Sequence, residues 1–137
     1  MSDHPPAAAR FAEGMTIRRR VLGDAYVDAA VAATDGFTRD FQTLITEAAW
    51  GTVWARDTIP LRERSMLTIA LLAALGQHGE LAMHIRATEN TGASRDDVKE
   101  ALLHVAVYAG VPAANEAFKI ARKVYAEMDR DGDAQRD

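Results

Sequence analysis

The chain has 137 residues, of which 48% are hydrophobic and 26% are charged, a balance typical of one soluble globular domain. It contains no cysteine, which excludes disulfides, cysteine-ligated metals and thiol catalysis. The formal net charge of −4 argues against a nucleic-acid partner, because binding to phosphates requires a basic surface.

Both ends of the chain are polar and lack an apolar period, so we predict loose tails over residues 1–12 and 129–137 and one domain over residues 13–128. No apolar stretch reaches the ~20 residues of a membrane span, and the first residues lack the order of a secretory signal. We therefore expect a cytoplasmic protein without a membrane partner. Between the tails the apolar spacing is helical and no segment alternates strictly, which predicts an all-α fold.

In chain order, the first half predicts three helices. The first covers residues 15–22, contains an arginine run at residues 18–20 and ends at Gly23. Asp24 can cap the second, over residues 24–33. Apolar residues at i, i+4, i+7, i+8 and i+11 from Phe37 predict an amphipathic helix over residues 38–53.

The second half predicts a helix whose segment 66–75 is apolar nearly all round, followed by helices over residues 80–90, 96–109 and 112–128. Ser94 and Asp97 have the spacing of a capping box, and Pro112 suits a first helical turn. The all-round apolar helix and the many alanines favour self-association, although burial inside one subunit would explain them equally well.

The spacing of Glu80 and His84 places both side chains on one face of a helix. A neighbouring carboxylate raises the pKa of an imidazole and fixes its tautomer, which suits a proton donor that works near neutral pH. The alternative is an ordinary surface ion pair, which contributes little.

His104 and Tyr108 are also four residues apart, in the segment ALLHVAVYAG, and we expect their helix face to be buried. A buried histidine of this kind is either a hydrogen-bonded core residue or a functional group. Asn115 lies in the first turn of the last helix, where free N–H groups favour an anion.

The segment Arg62-Glu63-Arg64 opens the apolar helix. It is either a solvated first turn or a means of placing a guanidinium beside a cleft, where arginine's planar fork can bind a carboxylate. A metal site is not predicted, because the four histidines show neither HExxH nor a close spacing.

Taken together, the segments GDAYVD, EAAWGTVWAR, IPLRERSMLTIALLAAL, GELAMHIRATENTGASRDDVKEALLH and VAVYAGVPAANEAF resemble the carboxymuconolactone decarboxylase family over nearly all of residues 13–128. The resemblance implies an alkylhydroperoxidase-like bundle of about six to seven helices in a single domain. The peroxidases of that superfamily use a Cys-x-x-Cys-x-x-x-His motif, whose histidine would correspond to His84 and whose cysteines would correspond to Gln77 and Glu80. Thiol peroxidase chemistry is therefore excluded.

The activity that this resemblance implies is cofactor-free decarboxylation of 4-carboxymuconolactone to 3-oxoadipate enol-lactone, in the protocatechuate branch of the β-ketoadipate pathway. It further implies a homo-oligomer, a trimer or a hexamer. On this basis we expect His84, poised by Glu80, to act as acid or oxyanion donor. Substrate binding would fall to a wider set: Arg64, Arg86, Tyr108, Asn115 and, with a less defined role, His104. Two alternatives stay open, a decarboxylase or isomerase acting on another lactone or β-keto acid and a non-catalytic helical oligomeric binding module.

Overall fold

A computed structural model describes residues 5–136, with side chains through residue 134, and contains helices and no strand within that part of the chain, so the predicted all-α fold is confirmed. The helices are α1 (Ala7–Leu22), α2 (Asp24–Ala32), α3 (Arg39–Ile45), a π-helix (Thr46–Trp54), α4 (Leu61–Ala74), α5 (His78–Arg86), α6 (Thr88–Thr91), α7 (Arg95–Tyr108) and α8 (Val111–Arg136).

The outer helices extend into both segments that were predicted as tails, while residues 1–4 and 137 lie outside the described part. Helix α1 begins at Ala7, in a run of three alanines, which are strong helix formers. Helix α8 continues to Arg136. Its last turns are held by ion pairs, because Arg95 donates to Asp129 and Arg86 donates to Asp131.

Within the predicted single domain the helices form two compact units, which divide between Pro60 and Leu61. In the first unit, α1 packs against the π-helix. A Cβ atom at Gly51 would collide with the backbone of Arg10, and one at Gly14 would lie 2.8 Å from the amide nitrogen of Gly51. Only glycines allow this approach. The helix predicted over residues 38–53 is observed as α3, an α-helix, followed directly by the π-helix.

The second unit contains a continuous apolar core formed by α4, α5, α7 and α8. It consists of Ile69, Ala73, Leu81, Ile85, Val98, Leu102, Val105, Ala114, Ala117, Ala121 and Val124. The predicted helix over residues 80–90 is divided into α5 and α6, and Gly92 ends α6 in the left-handed conformation at φ 85°.

The predicted capping box is confirmed and joins two helices. The hydroxyl of Ser94 accepts a hydrogen bond from the amide of Asp97, and the carboxylate of Asp97 accepts one from the amide of Ser94. The same carboxylate accepts two hydrogen bonds from Arg62, at 2.7 and 2.6 Å. These contacts keep the pKa of Asp97 below its ordinary range, with the bond from Arg62 as the largest cause. The starts of α4 and α7 are therefore linked.

None of the helices among the described residues is both long and apolar enough to cross a bilayer. The cytoplasmic location stays a prediction.

Candidate active site

Glu80 and His84, which the sequence predicted to act as a pair, both lie on α5 but in different environments. Its residues Leu81 and Ile85 are fully buried, and His84 is 6% exposed on the same side of the helix. Glu80, in the first turn, is exposed to solvent. The helical spacing was read correctly, but the imidazole enters the interior of the unit whereas the carboxylate stays at its surface.

The protonation of His84 differs from the sequence prediction. Burial lowers its pKa from 6.5 to about 4, whereas a rise caused by Glu80 was expected. Desolvation disfavours a charged imidazolium, and Glu80, exposed to water, does not offset it. At neutral pH the imidazole is neutral, so His84 can donate a hydrogen bond through its N–H group but does not carry an imidazolium proton.

Arg64 lies in the first turns of α4, next to the edge of the core. It is half-buried, and its neighbour Ser65 is fully buried and accepts a hydrogen bond from the hydroxyl of Thr91 at 3.0 Å. Helix α4 packs against α5, the helix of His84. Of the three charged residues of this turn, Arg62 and Glu63 form an ion pair at 3.0 Å.

Arg86 is already bound to carboxylates of the protein. Its guanidinium donates to Glu127 at 2.9 Å and to Asp131 at 3.3 Å, both on α8. Residues two apart on a helix do not share a face, so Arg86 is directed away from the side of His84. The structure thus gives Arg86 the position of a link between α5 and α8, which the sequence prediction of a substrate-binding residue did not anticipate.

The prediction that His104 and Tyr108 lie on a buried face is wrong. Both are exposed, Tyr108 to 84%, and their rings stack with centroids 6.0 Å apart and an interplanar angle of 11°. Helix α7 buries Val98, Leu102 and Val105 instead. The apolar residues around His104 misled the prediction because the outer face of this helix is apolar as well.

Asn115 lies in an open groove of about 760 Å³ between α7 and α8. Four basic residues contribute to the walls of this groove: Arg95, Lys99, Lys119 and Arg122. Sequence reasoning missed them, although their spacings of four along α7 and three along α8 place each pair on one helix face. Asp129 also lines the groove and binds Arg95, and Lys99 and Lys119 form ion pairs with carboxylates on their own helices. The role predicted for Asn115 stays a prediction.

A profile of the carboxymuconolactone decarboxylase family matches residues 39–123. The chain belongs to the carboxymuconolactone decarboxylase family. The matched segment includes every residue predicted for the site, from Arg64 to Asn115.

Three relatives place the chain more closely within this family. It is 42% identical to a 4-carboxymuconolactone decarboxylase of Acinetobacter baylyi over 119 residues, which cover 87% of this chain and 89% of the relative. It is 40% identical to a nitrosuccinic acid decarboxylase of Metarhizium robertsii over 126 residues, 92% of this chain and 88% of the relative. A 4-carboxymuconolactone decarboxylase of Pseudomonas putida is 45% identical over 42 residues, 31% of this chain and 88% of the relative. The predicted family and the predicted reaction class, decarboxylation, are confirmed.

Proposed function

We propose that this protein removes carbon dioxide from 4-carboxymuconolactone and releases 3-oxoadipate enol-lactone, a step of the protocatechuate branch of the β-ketoadipate pathway. One observation carries the proposal: the identity of 42% to the Acinetobacter relative extends over 89% of that protein. The chemistry of His84 supports it, because a neutral buried imidazole suits a reaction that generates an oxyanion.

The substrate can accept the electrons of the broken bond without a cofactor. As the carboxylate leaves as carbon dioxide, the electron pair of its C–C bond moves through the ring double bond into the lactone carbonyl. A 2-oxyfuran anion results, and a proton added to the carbon next to the carbonyl completes the product. The protein has to hold two carboxylates, stabilise the oxyanion and deliver one proton. Pyridoxal phosphate or thiamine, which usually take up such electrons, are not required in this scheme.

We assign the oxyanion to His84. With its pKa near 4, the imidazole is neutral at pH 7 and its N–H group can donate to the developing negative charge. It stays poorly hydrated at 6% exposure, so little solvent must reorganise during the reaction. A protonated imidazole would have been the better proton donor, but burial removes that proton.

Delivery of the proton therefore falls to Glu80. Its side chain is exposed to water and lies one helical turn before His84. Arg64, half-buried on the helix that packs against α5, is assigned to a substrate carboxylate. Arg86 is left out of this scheme because Glu127 and Asp131 already bind its guanidinium.

A second substrate class is supported by the relative from Metarhizium robertsii, whose name gives nitrosuccinic acid as its substrate. In that acid a nitro group, rather than a lactone carbonyl, can take up the electron pair left by carbon dioxide. The two compounds share a pair of carboxylates and an electron-accepting group. We propose nitrosuccinic acid as the alternative substrate.

The predicted homo-oligomer is supported by apolar surface on the second unit. Seven large apolar side chains on α4, on α7 and just after these helices are exposed: Leu67, Leu71, Leu75, Leu103, Val107, Tyr108 and Val111. Exposed apolar side chains grouped in this way are typical of a surface that another protein chain covers. A second copy that covers this surface would also enclose His104 and Tyr108. In this arrangement the two residues could bind substrate only in the assembled protein.

A direct assay tests the proposal. Purified protein is incubated with 4-carboxymuconolactone and, in parallel, with nitrosuccinic acid, and carbon dioxide release is followed while light scattering gives the mass of the particle. Preference for the lactone is expected. Release from nitrosuccinic acid alone would establish the alternative substrate, and binding of either acid without release would identify a non-catalytic binding module.

A further inference from the structure

The first unit contains a pocket that the proposed reaction does not use. It has a volume of about 270 Å³ and lies between α1 and α3, close to the lower end of the range for small-ligand sites. Arg18, Arg39 and Gln42 provide polar lining, and Phe11 and Met15 provide apolar lining. No acidic residue of the described part of the chain contributes to its wall.

The guanidinium of Arg18 is the unusual feature of this pocket. Arg18 is only 6% exposed, and its Nε atom has no hydrogen-bond partner among residues 5–136. Burial lowers the pKa of Arg18, and a smaller electrostatic effect of Tyr26 opposes this. Arginine nevertheless remains protonated in proteins. The first unit therefore holds a charged guanidinium with one buried, unpaired donor at the wall of this pocket, and an anion bound there would compensate it.

The two carboxylates of α2 are bound by a different arginine. Arg19, the next residue on α1, donates to Asp28 at 2.8 Å and to Asp24 at 3.1 Å. Both acidic residues of α2 are thus paired at the outer surface with Arg19, whose side chain is 35% exposed. The carboxylates of α2 therefore do not satisfy the buried Nε atom of Arg18.

A second unsatisfied atom narrows the chemistry of the ligand. The Oε1 atom of Gln42 is buried and accepts no hydrogen bond from the described residues. The hydroxyl of Thr46, also in the pocket wall, is already donated to the carbonyl oxygen of Gln42 at 2.7 Å. The pocket accordingly offers a cationic donor and a free acceptor, and a complementary ligand carries an anion and a hydrogen-bond donor.

We propose that this pocket binds a small carboxylate that also carries a hydroxyl group. The planar fork of Arg18 binds the carboxylate, Arg39 adds a second positive charge at the exposed side, and Gln42 accepts the hydroxyl proton. The carbon skeleton packs against Phe11 and Met15. All of these groups lie in the first unit, so the proposal does not depend on the reaction assigned to His84.

Isothermal titration of the full chain with lactate, propanoate and inorganic phosphate tests this site. Lactate should bind with saturation, propanoate several-fold more weakly because it lacks the hydroxyl, and phosphate more weakly still. Arg18→Gln should weaken lactate binding at least ~10-fold, as expected for loss of a buried charge-assisted contact. Arg20→Gln is the matched control, since Arg20 is exposed and outside the pocket wall, and its affinity should equal that of the wild type.

A thermal measurement keeps the test valid if Arg18→Gln is poorly folded. Lactate should raise the Tm of the wild type and of His84→Ala alike, by mass action, and leave the Tm of Arg18→Met unchanged. Ligand-free Arg18→Met should melt above the ligand-free wild type because the buried charge is gone. Equal lactate affinity of wild type and Arg18→Gln, equal binding of phosphate, or no saturation by any carboxylate would each overturn the proposal.

Discussion

The two units of this protein each bury one basic side chain to the same extent, and the two residues respond in opposite ways. Arg18 in the first unit and His84 in the second are both 6% exposed. Burial removes the proton of the imidazole, with a pKa near 4, whereas the guanidinium keeps its charge. Equal burial therefore produces a neutral hydrogen-bond donor in one unit and a charged donor at the wall of a pocket in the other.

This comparison shows that burial alone does not predict function. An imidazole can avoid the cost of desolvation by titrating, so its environment can remain apolar. Arginine has no neutral form within reach, so its environment has to supply an anion. A buried group that can lose its proton therefore does not need a charged ligand, whereas a buried group that keeps its charge favours an anionic one.

The largest expected effect is the loss of activity when His84 is replaced. His84→Ala should reduce kcat for 4-carboxymuconolactone by ~100-fold or more, as found when one oxyanion donor is removed. His78→Ala is the matched control, because His78 lies on the same helix and is exposed, and it should retain wild-type activity. Steady-state kinetics and circular dichroism check both variants. A fully active, folded His84→Ala enzyme would remove the imidazole from the mechanism.

The second effect is a loss of stability in acid. The folded state of His84 has a pKa near 4 and the unfolded state one near 6.5, so between these values the unfolded chain binds more protons. Its contribution to the free energy of unfolding is present above pH 6.5 and falls as the pH is lowered towards 4. Between pH 7 and pH 5 the loss is about 2 kcal/mol.

Urea titrations of the wild type and of His84→Gln at these two pH values measure this term. The glutamine variant does not titrate, so its stability should fall by about 2 kcal/mol less than that of the wild type over the same interval. Equal losses in the two proteins would show that the imidazole is not kept neutral by burial. Arg18 stays charged over this pH range, so it adds nothing to the pH dependence of stability.

A third, smaller effect compares two arginines of the second unit. Arg64→Ala should raise KM for the lactone by about tenfold with little change in kcat, if Arg64 binds a carboxylate equally in the ground and transition states. Arg86→Ala should leave KM near the wild-type value, because Arg86 is bound by Glu127 and Asp131. A raised KM in Arg86→Ala alone would exchange the two assignments.

The smallest expected effect concerns the side-chain caps at the starts of helices in the two units. Helix α7 begins with the capping box of Ser94 and Asp97, whereas α1 and α3 of the first unit begin without a side-chain cap. Ser94→Ala should lower the free energy of unfolding by about 1 kcal/mol. The same substitution at Thr38, the residue before α3, should cost less. Chemical denaturation measures both, and equal costs would contradict the importance of the cap.

The sequence predicted the type of each element better than its surroundings. Period and turn residues located most helices and the capping box of Ser94, because these depend on local backbone chemistry. The same reasoning placed His104 in the interior, since its neighbours in the chain are apolar. Helix α7 has two apolar faces, and only tertiary packing decides which of them is buried.

The helical positions of Glu80 and His84 were predictable from the sequence, and the protonation of His84 was not. A spacing of four made Glu80 and His84 a pair on one helix face, and the family resemblance gave that pair a reaction. Only packing decided that the imidazole is buried and the carboxylate exposed, which reverses the direction of the predicted pKa shift.

By itself the sequence determined an all-α chain without thiols, a family and a reaction class, because periodicity, composition and ordered motifs are properties of the chain. The tertiary structure decided which charges lose contact with water. It paired Arg62, Arg86 and Arg95 with carboxylates distant in the chain, and it buried the Nε atom of Arg18 without a hydrogen-bond partner among the described residues. Solvation and pairing depend on neighbours brought together from distant residues, and no local pattern records them.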